Sequence, residues 1–371
     1  MDYTVKTVTD GRSLSDFLRM PYRIYRGNAH WVPPLRSETR RVLDAKRNPY
    51  FRSASLDLFL CSSHDGTLAR ASLVVSDDHR RRFQTRTAFF GFFESVDDDE
   101  CSNALFAAIE RRCRERGVET LEGPFNPNHY SELGLLGDHF DEDQGFFEPY
   151  NPEYYHRLLA RAGFTQCECL YTGRNADVRR YLADRYGAPP EPPRAGEYRV
   201  RGFDPAHMTR DLECVRSVFN DAFLENWHFL PATAAEHQFA AWYLHLITRP
   251  DLVTIVEHRG VPVGVLLCVL DVNPLLRRMR GGAGPVSYIR FIAGKKQIRT
   301  LVVYAVGIRK AYRGTRVYTL LMESLRRMAP GFEVLTCTWI HPGNVLSSRT
   351  ADRVGLLPDK HLLIYRKQIT H

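Results

Sequence analysis

No apolar run in this 371-residue chain approaches the roughly 20 residues that a bilayer-spanning helix needs; a long one, residues 263–270, falls far short. The first ten residues contain no apolar signal core, so a cytoplasmic location is expected, with no membrane partner. Cysteine is too sparse and too scattered for a disulfide framework. The close pair Cys167-x-Cys169 has no second pair to complete a zinc site, and all eight cysteines are expected to be reduced thiols, with no metal bound. The sequence also lacks an HExxH helix, a Walker loop and a nucleophile elbow, which removes the footing for metal, nucleotide and serine hydrolases. Lysine is scarce as well, with arginine outnumbering it 44 to 7, so arginine by itself does not single out phosphate recognition. What remains is an ordinary globular composition, 44% hydrophobic and 25% charged, long enough for about two domains.

Charge divides the chain. Residues 1–194 carry 27 Lys+Arg against 29 Asp+Glu, and residues 195–371 carry 24 against 14. Residues 272–322 hold eleven basic side chains and no acidic one: Arg277, Arg278, Arg280, Arg290, Lys295, Lys296, Arg299, Arg309, Lys310, Arg313 and Arg316. Such a window faces an anion or is a solvated basic face.

Residues 188–194 contain four prolines and read as an extended connector between a first domain, residues 1–187, and a second, residues 195–371. The same order of patterns appears on both sides. In the second half, a strand at 198–202 precedes helices at 211–222 and 234–247, a hairpin of 253–258 with 262–270, a strand at 301–308, a helix at 316–328, a strand at 333–340, a short helix at 347–353 and a last strand at 361–367. In the first half, strands at 56–61 and 68–75 flank a turn at Asp65-Gly66, followed by a strand at 88–93, a helix at 100–116, a strand at 120–123, a helix at 153–162 and a strand at 166–171. Gly163 and Gly355 each follow the last helix of their half, where a left-handed glycine stops a helix. The expected fold class is α/β, with mixed, mostly antiparallel sheets flanked by helices, in two copies.

The run Val306-Gly307-Ile308-Arg309-Lys310-Ala311-Tyr312-Arg313-Gly314-Thr315-Arg316-Val317-Tyr318 is strand, turn and helix start. It resembles the acyl-CoA site of the GNAT superfamily of N-acyltransferases, in which an Arg/Gln-x-x-Gly-x-Gly/Ala turn lets backbone N–H groups at a helix N-terminus hold a pyrophosphate. Asn344 after the 333–340 strand, Gly355-Leu356 and an aromatic last strand with Tyr365 extend the resemblance over residues 211–367. A weaker echo over residues 17–171 makes the chain similar to tandem GNAT proteins, an arrangement also found in N-myristoyltransferases and Fem-type transferases. The resemblance implies that Val306 and Ile308 hold the pantetheine arm through their backbone, and that Arg313, Gly314, Thr315, Arg316, Val317, Tyr318 and Asn344 contact the co-substrate, acyl-CoA.

The pattern is also broken in places. Arg316 and Tyr318 stand where the family has small residues, so that Arg316 either adds a charged contact or fills the phosphate pocket. Ala351 stands where many members have a tyrosine that protonates the leaving thiolate, leaving water or Tyr318 to do so. In the first half the corresponding turn is Ser95-Val96-Asp97-Asp98-Asp99-Glu100, whose carboxylates suit a helix start and repel a pyrophosphate, so this copy is expected not to bind it.

The reaction implied is transfer of an acyl group to a small-molecule amine, which calls for a base. Glu225, His228 and His341 are the candidates, and His129 and Tyr130 hold the comparable place in the first half. Residues 89–93 read as core strand. An aminoacyl-tRNA donor is the alternative, less favoured, and an inactive GNAT-fold binding protein is the third reading. The eleven basic residues discriminate: one cleft favours CoA, a stripe favours tRNA.

Overall fold

The structure is a computed structural model that describes residues 2–64, 66–191, 196–282 and 284–370. Asp65 of the expected turn, and residues 192–194 of the expected connector, lie outside the described residues. In chain order the elements are β1 (Thr4–Thr7), α1 (Gly11–Ile24), α2 (Arg36–Val42), β2 (Ala54–Ser63), β3 (Gly66–Ser76), α3 (Asp77–Phe83), β4 (Thr87–Ser95), α4 (Asp99–Glu115), β5 (Thr120–Gly123), β6 (Leu135–Leu136), α5 (Tyr154–Arg161), β7 (Thr165–Asn175) and α6 (Val178–Tyr186). They continue as β8 (Tyr198–Gly202), α7 (Met208–Ala222), α8 (Ala234–Ile247), β9 (Val253–His258), β10 (Val261–Leu270), α9 (Asn273–Met279), α10 (Pro285–Gly294), β11 (Thr300–Ile308), α11 (Val317–Met328), β12 (Val334–Ile340), α12 (Val345–Arg353) and β13 (Leu357–Gln368). Every strand and helix expected from the periodicity is present. The basic segment before β11 is helical, and β1, α1, α2, α3, β6 and α6 are additional.

Two compact units result: Met1–Leu170 with Asn273–Ile289 and Lys360–His371, and Tyr171–Val272 with Arg290–Asp359. They do not divide at residues 188–194. β7 begins in unit 1 and ends in unit 2, while β13 begins in unit 2 and ends in unit 1, where it pairs antiparallel with β5 from Tyr365↔Gly123 to Gln368↔Thr120. Strand pairing follows the position of a hydrogen-bonding edge rather than chain order, so each half lends its last strand to the other unit.

In unit 1, β1, β2, β3 and β4 pair antiparallel in sequence, and β4 pairs parallel with β5. α4 covers this sheet. Asp98 caps it by accepting the Cys101 N–H at 2.9 Å, Asp99 and Glu100 occupy its first turn, and Arg112 and Arg114 its last, as the helix dipole favours. Its buried Leu105, Phe106 and Ile109 meet Phe90, Phe93 and Phe164, with the Phe106 ring 5.5, 5.2 and 4.8 Å from theirs. Residues 89–93 are thus core strand, as expected. In unit 2, β8, β9, β10 and β11 pair antiparallel in turn, β11 pairs parallel with β12, and β12 pairs antiparallel with the second half of β7. α11 buries Val317, Leu320, Leu321, Ser324 and Leu325, the spacing of one helix face. Gly163 and Gly355 adopt φ of 85° and 69°, the left-handed stop expected of them. All eight cysteines are free.

Candidate functional site

In unit 2 the parallel ladder pairs Thr300–Val303 of β11 with Val334–Cys337 of β12 and goes no further, although both strands continue. Just past its end the Thr338 hydroxyl donates to the Tyr304 carbonyl at 3.0 Å. β11 beyond it stays paired with β10, and the Arg309 N–H bonds the Val263 carbonyl at 2.9 Å. Because the groups of successive strand residues alternate sides, the backbone N–H and C=O of Ile308 and Val306 point away from β10, into the space β12 has left. These are the two residues expected to hold a pantetheine arm.

The chain then turns into α11. Gly314 has φ of 79°, a left-handed conformation that costs a residue with a Cβ, and the space around it is open. The Thr315 hydroxyl donates to the Tyr312 carbonyl at 2.7 Å and accepts the Val317 N–H at 3.4 Å. Arg316 sits at the N-cap position of α11, exposed, with no side-chain partner among the described residues. The other cations of this turn are engaged. Arg309 donates to the Pro262 carbonyl at 2.7 Å and to Ser217 at 3.1 Å. Arg313 donates to the Ala222 carbonyl at the end of α7 at 2.7 Å, and Lys310 pairs with Glu225. The turn is therefore fastened to the C-terminal end of α7, and Arg316 alone of the four stands open at the helix start.

Glu225 is exposed, and its hydrogen bond to the Lys310 ammonium holds its carboxyl below the usual range, with Arg313 4.0 Å away. It acts as a tether for the turn. His228 and His341 are brought together by Trp227, whose ring lies 4.5 Å from His228 and stacks on His341 at 5.8 Å. The His341 Nδ1 accepts the Gly343 N–H at 3.0 Å, which puts the proton of the neutral ring on Nε2 and makes that atom a donor. Asn344 caps α12 by accepting the Ser347 N–H at 3.1 Å. Tyr318 donates to Thr350 at 3.3 Å and lies under Arg353, 4.8 Å from its ring. Thr350 is six residues along α12 from Asn344, about 9 Å at 1.5 Å per residue, which turns the phenol down the helix and away from its start. Ala351 is buried in packing.

Sequence reasoning treated the basic window as one feature, and the structure divides it. Arg277, Arg278 and Arg280 belong to unit 1, where Arg277 pairs with Asp143 at 2.9 Å, and only Arg309, Lys310, Arg313 and Arg316 reach the turn before α11. A residue it passed over is Glu132, in the loop between β5 and β6 of unit 1. Burial, with a contribution from the Glu94 charge, pushes its carboxyl from 4.5 up to about 7. No side-chain partner holds it among the described residues, whereas Glu94 accepts from Tyr25 at 2.9 Å and Tyr155 at 2.8 Å and faces Arg70 at 3.5 Å. The signal for Glu132 is a matter of burial, which a single glutamate in a loop sequence does not display. His129 and Tyr130 lie in the same loop, their rings 4.1 Å apart. Among the described residues there is no group of three His, Cys, Asp or Glu arranged for a metal, and no helix long and apolar enough to cross a membrane.

The fold recurs in solved structures. The chain is similar over its whole length to a tandem GNAT protein from the clavulanic acid biosynthesis pathway, with a TM-score of 0.59 and 14% identity over 99% of that chain. A GCN5-related N-acetyltransferase from Sphaerobacter thermophilus gives a TM-score of 0.52 with 13% identity, covering 96% of it. The protein therefore has a GNAT-superfamily fold in tandem. No family model matches the sequence. Two relatives align nearly end to end: protein YghO of Escherichia coli, 25% identical over 98% of this chain and 95% of the relative, and the bacterial ceramide synthase of Caulobacter vibrioides, 26% identical over 99% and 98%.

Proposed function

We propose that the protein is an N-acyltransferase that moves an acyl group from acyl-CoA to an amine, with unit 2 binding the donor. The observation that carries this is the open edge of β11 at Val306 and Ile308 leading through Gly314 to the start of α11, where Arg316 is unpaired. Backbone groups on that edge suit the amides of a pantetheine arm, as an added strand does, and N–H groups at a helix start suit a pyrophosphate. Gly314, Thr315, Arg316 and Val317 are the residues that would hold it.

In the transfer, the amine nitrogen forms a bond to the thioester carbonyl carbon, the carbon–sulfur bond breaks, the amine gives up a proton and the departing thiolate gains one. His228 is the base in this reading, because His341 in its Nε2–H form is a donor and Glu225 is occupied by Lys310. In the same reading His341 hydrogen-bonds the carbonyl oxygen as charge develops there. A thiol of ordinary pKa near 8.5 leaves tolerably without an acid, which accommodates Ala351 and the turned-away Tyr318. The Caulobacter relative, by its name, makes ceramide, an N-acylated long-chain amino alcohol; its alignment over 99% of this chain supports a lipophilic amine as the small-molecule acceptor expected from the sequence. A tRNA donor would need a broad stripe of free basic side chains, and three of the four at the turn are already bonded within unit 2.

Calorimetry with CoA tests the reading. One site per chain is expected, with Arg316→Ala weakening binding by about tenfold or more, since a charge-assisted contact contributes roughly 1.5–3 kcal/mol. Arg313→Ala should weaken it less, since Arg313 is spent on the end of α7. Two sites per chain, or no CoA binding together with acceptance of an aminoacyl-tRNA, overturns it.

A further inference from the structure

Surface helices of globular proteins normally turn an apolar stripe inward and a polar face to water. α10 (Pro285–Gly294) is apolar on both faces. Phe291 and Gly294 are buried on one side, with Ser287 half-buried between them at helical spacing. On the other, Val286 is 62% exposed, Ile289 68%, Ile292 45% and Tyr288 48%. At 100° per residue, positions 286, 289, 292 and 293 fall within one outward sector, and the one charged side chain of the helix, Arg290, lies at its border.

The surroundings in sequence are of one sign. Between Asp271 and Glu323 the chain has no acidic residue. Of the basic side chains next to α10, Arg277 is paired with Asp143 and the Lys295 ammonium donates to the Thr248 carbonyl at 3.5 Å. Arg290, on α10 itself, and Lys296, two residues past its end, are exposed and have no side-chain partner among the described residues. An exposed aliphatic face bordered by unpaired cations fits an environment that is apolar at depth and anionic at its rim.

We propose that α10 docks the protein on the surface of an anionic lipid bilayer, Val286, Ile289 and Ile292 entering the acyl boundary and Arg290 and Lys296 meeting phosphate headgroups. This is the mode of interfacial helices, which lie in the membrane plane and do not span it, and each cation near such a surface adds to the attraction. The expectation of no membrane partner rested on the lack of a spanning segment, and a helix of ten residues lying flat is compatible with that lack. Charge complementarity selects a bilayer over a second copy of the chain, which would bring the same cations face to face.

The test is co-flotation of the full-length protein with phosphatidylcholine vesicles, with and without phosphatidylglycerol, read without turnover so that it is independent of the acyl-transfer reading. Binding to the phosphatidylglycerol vesicles is expected, weakening with salt. The double variant Val286→Asp, Ile289→Asp should lower the partition coefficient at least about tenfold, Arg290→Glu with Lys296→Glu should lower it on anionic vesicles, and Ile289→Leu should retain it. All these side chains are exposed, so circular dichroism of each variant should match the parent. Failure to float with anionic vesicles, equal binding to neutral ones, undiminished binding of the double aspartate variant, or a concentration-dependent dimer that this variant abolishes without any vesicle binding would overturn the proposal.

Discussion

Each unit contains a parallel strand pair that stops pairing before its strands end, and the two notches have opposite fates. In unit 1 the ladder runs from Thr87↔Thr120 to Phe89↔Glu122, and then the chain after β5 turns back into the gap. The Phe125 N–H bonds the Phe90 carbonyl at 2.8 Å, and the Asn126 side chain accepts the Phe92 N–H at 2.6 Å. Gly91 is what permits this, since a Cβ there would stand 1.8 Å from the Phe125 carbonyl oxygen. The helix start beyond is closed as well. Asp98 is taken by the Cys101 N–H and the Tyr3 hydroxyl, and Asp97 and Asp99 pair with Arg157. In unit 2, among the described residues, no segment following β12 bonds to the backbone of β11 in this way, and the helix start carries Arg316. One architecture thus serves as a filled scaffold in one copy and as an open edge in the other, and the difference lies in whether the backbone groups of the splayed strand have found partners within the fold.

The largest expected effect comes from disturbing the filled notch. Gly91→Ala puts a methyl against backbone that cannot yield, and overpacking of this kind costs about 1–3 kcal/mol or more. Urea unfolding should show the loss, while CoA affinity of the folded fraction, measured by calorimetry, stays within about twofold; a variant as stable as the parent would show that the close approach is not real. A medium effect sharpens the charge environment of unit 1. The fold retains the Glu132 proton that an unfolded chain loses near pH 4.5, so the contribution of this carboxyl to stability should fall between about pH 4.5 and 7 and level off above. Glu132→Gln should therefore become progressively more stable than the parent as pH rises over that range. A stability difference that does not change with pH in urea melts would contradict the raised carboxyl. The smallest effect belongs to the open notch: Asn344→Ala removes a helix cap and should cost about 1 kcal/mol, visible as a small shift in melting temperature, with unit 1 unaffected.

The repeated order of strands and helices was legible because each element carries its own period, as in Val317, Leu320, Leu321 and Leu325 of α11. The strand–turn–helix around Gly314 was equally legible, since a glycine turn between an apolar strand and an apolar-periodic helix is a local pattern. The exchange of terminal strands was not. Nothing in residues 357–368 marks them as partners of β5, because an edge accepts any strand of suitable register. The roles assigned to Glu225, Arg313 and Tyr318 were also out of reach, as each depends on a neighbour distant in sequence: Lys310, the Ala222 carbonyl and Thr350. For Glu132, exposure and charge neighbours set the carboxyl, and both are properties of packing.

By itself, then, the sequence determined the two-copy α/β plan, the basic excess of the second half, the acidic helix start at residues 97–100 and the glycine turn before α11, all written in residue types at short spacing. The tertiary structure decided which notch is filled, which of the turn's cations remains unpaired, and that the outward face of α10 is apolar. These follow from contacts between segments far apart in the chain, where hydrogen-bond partners and burial are settled by what packs against a residue and not by what precedes it.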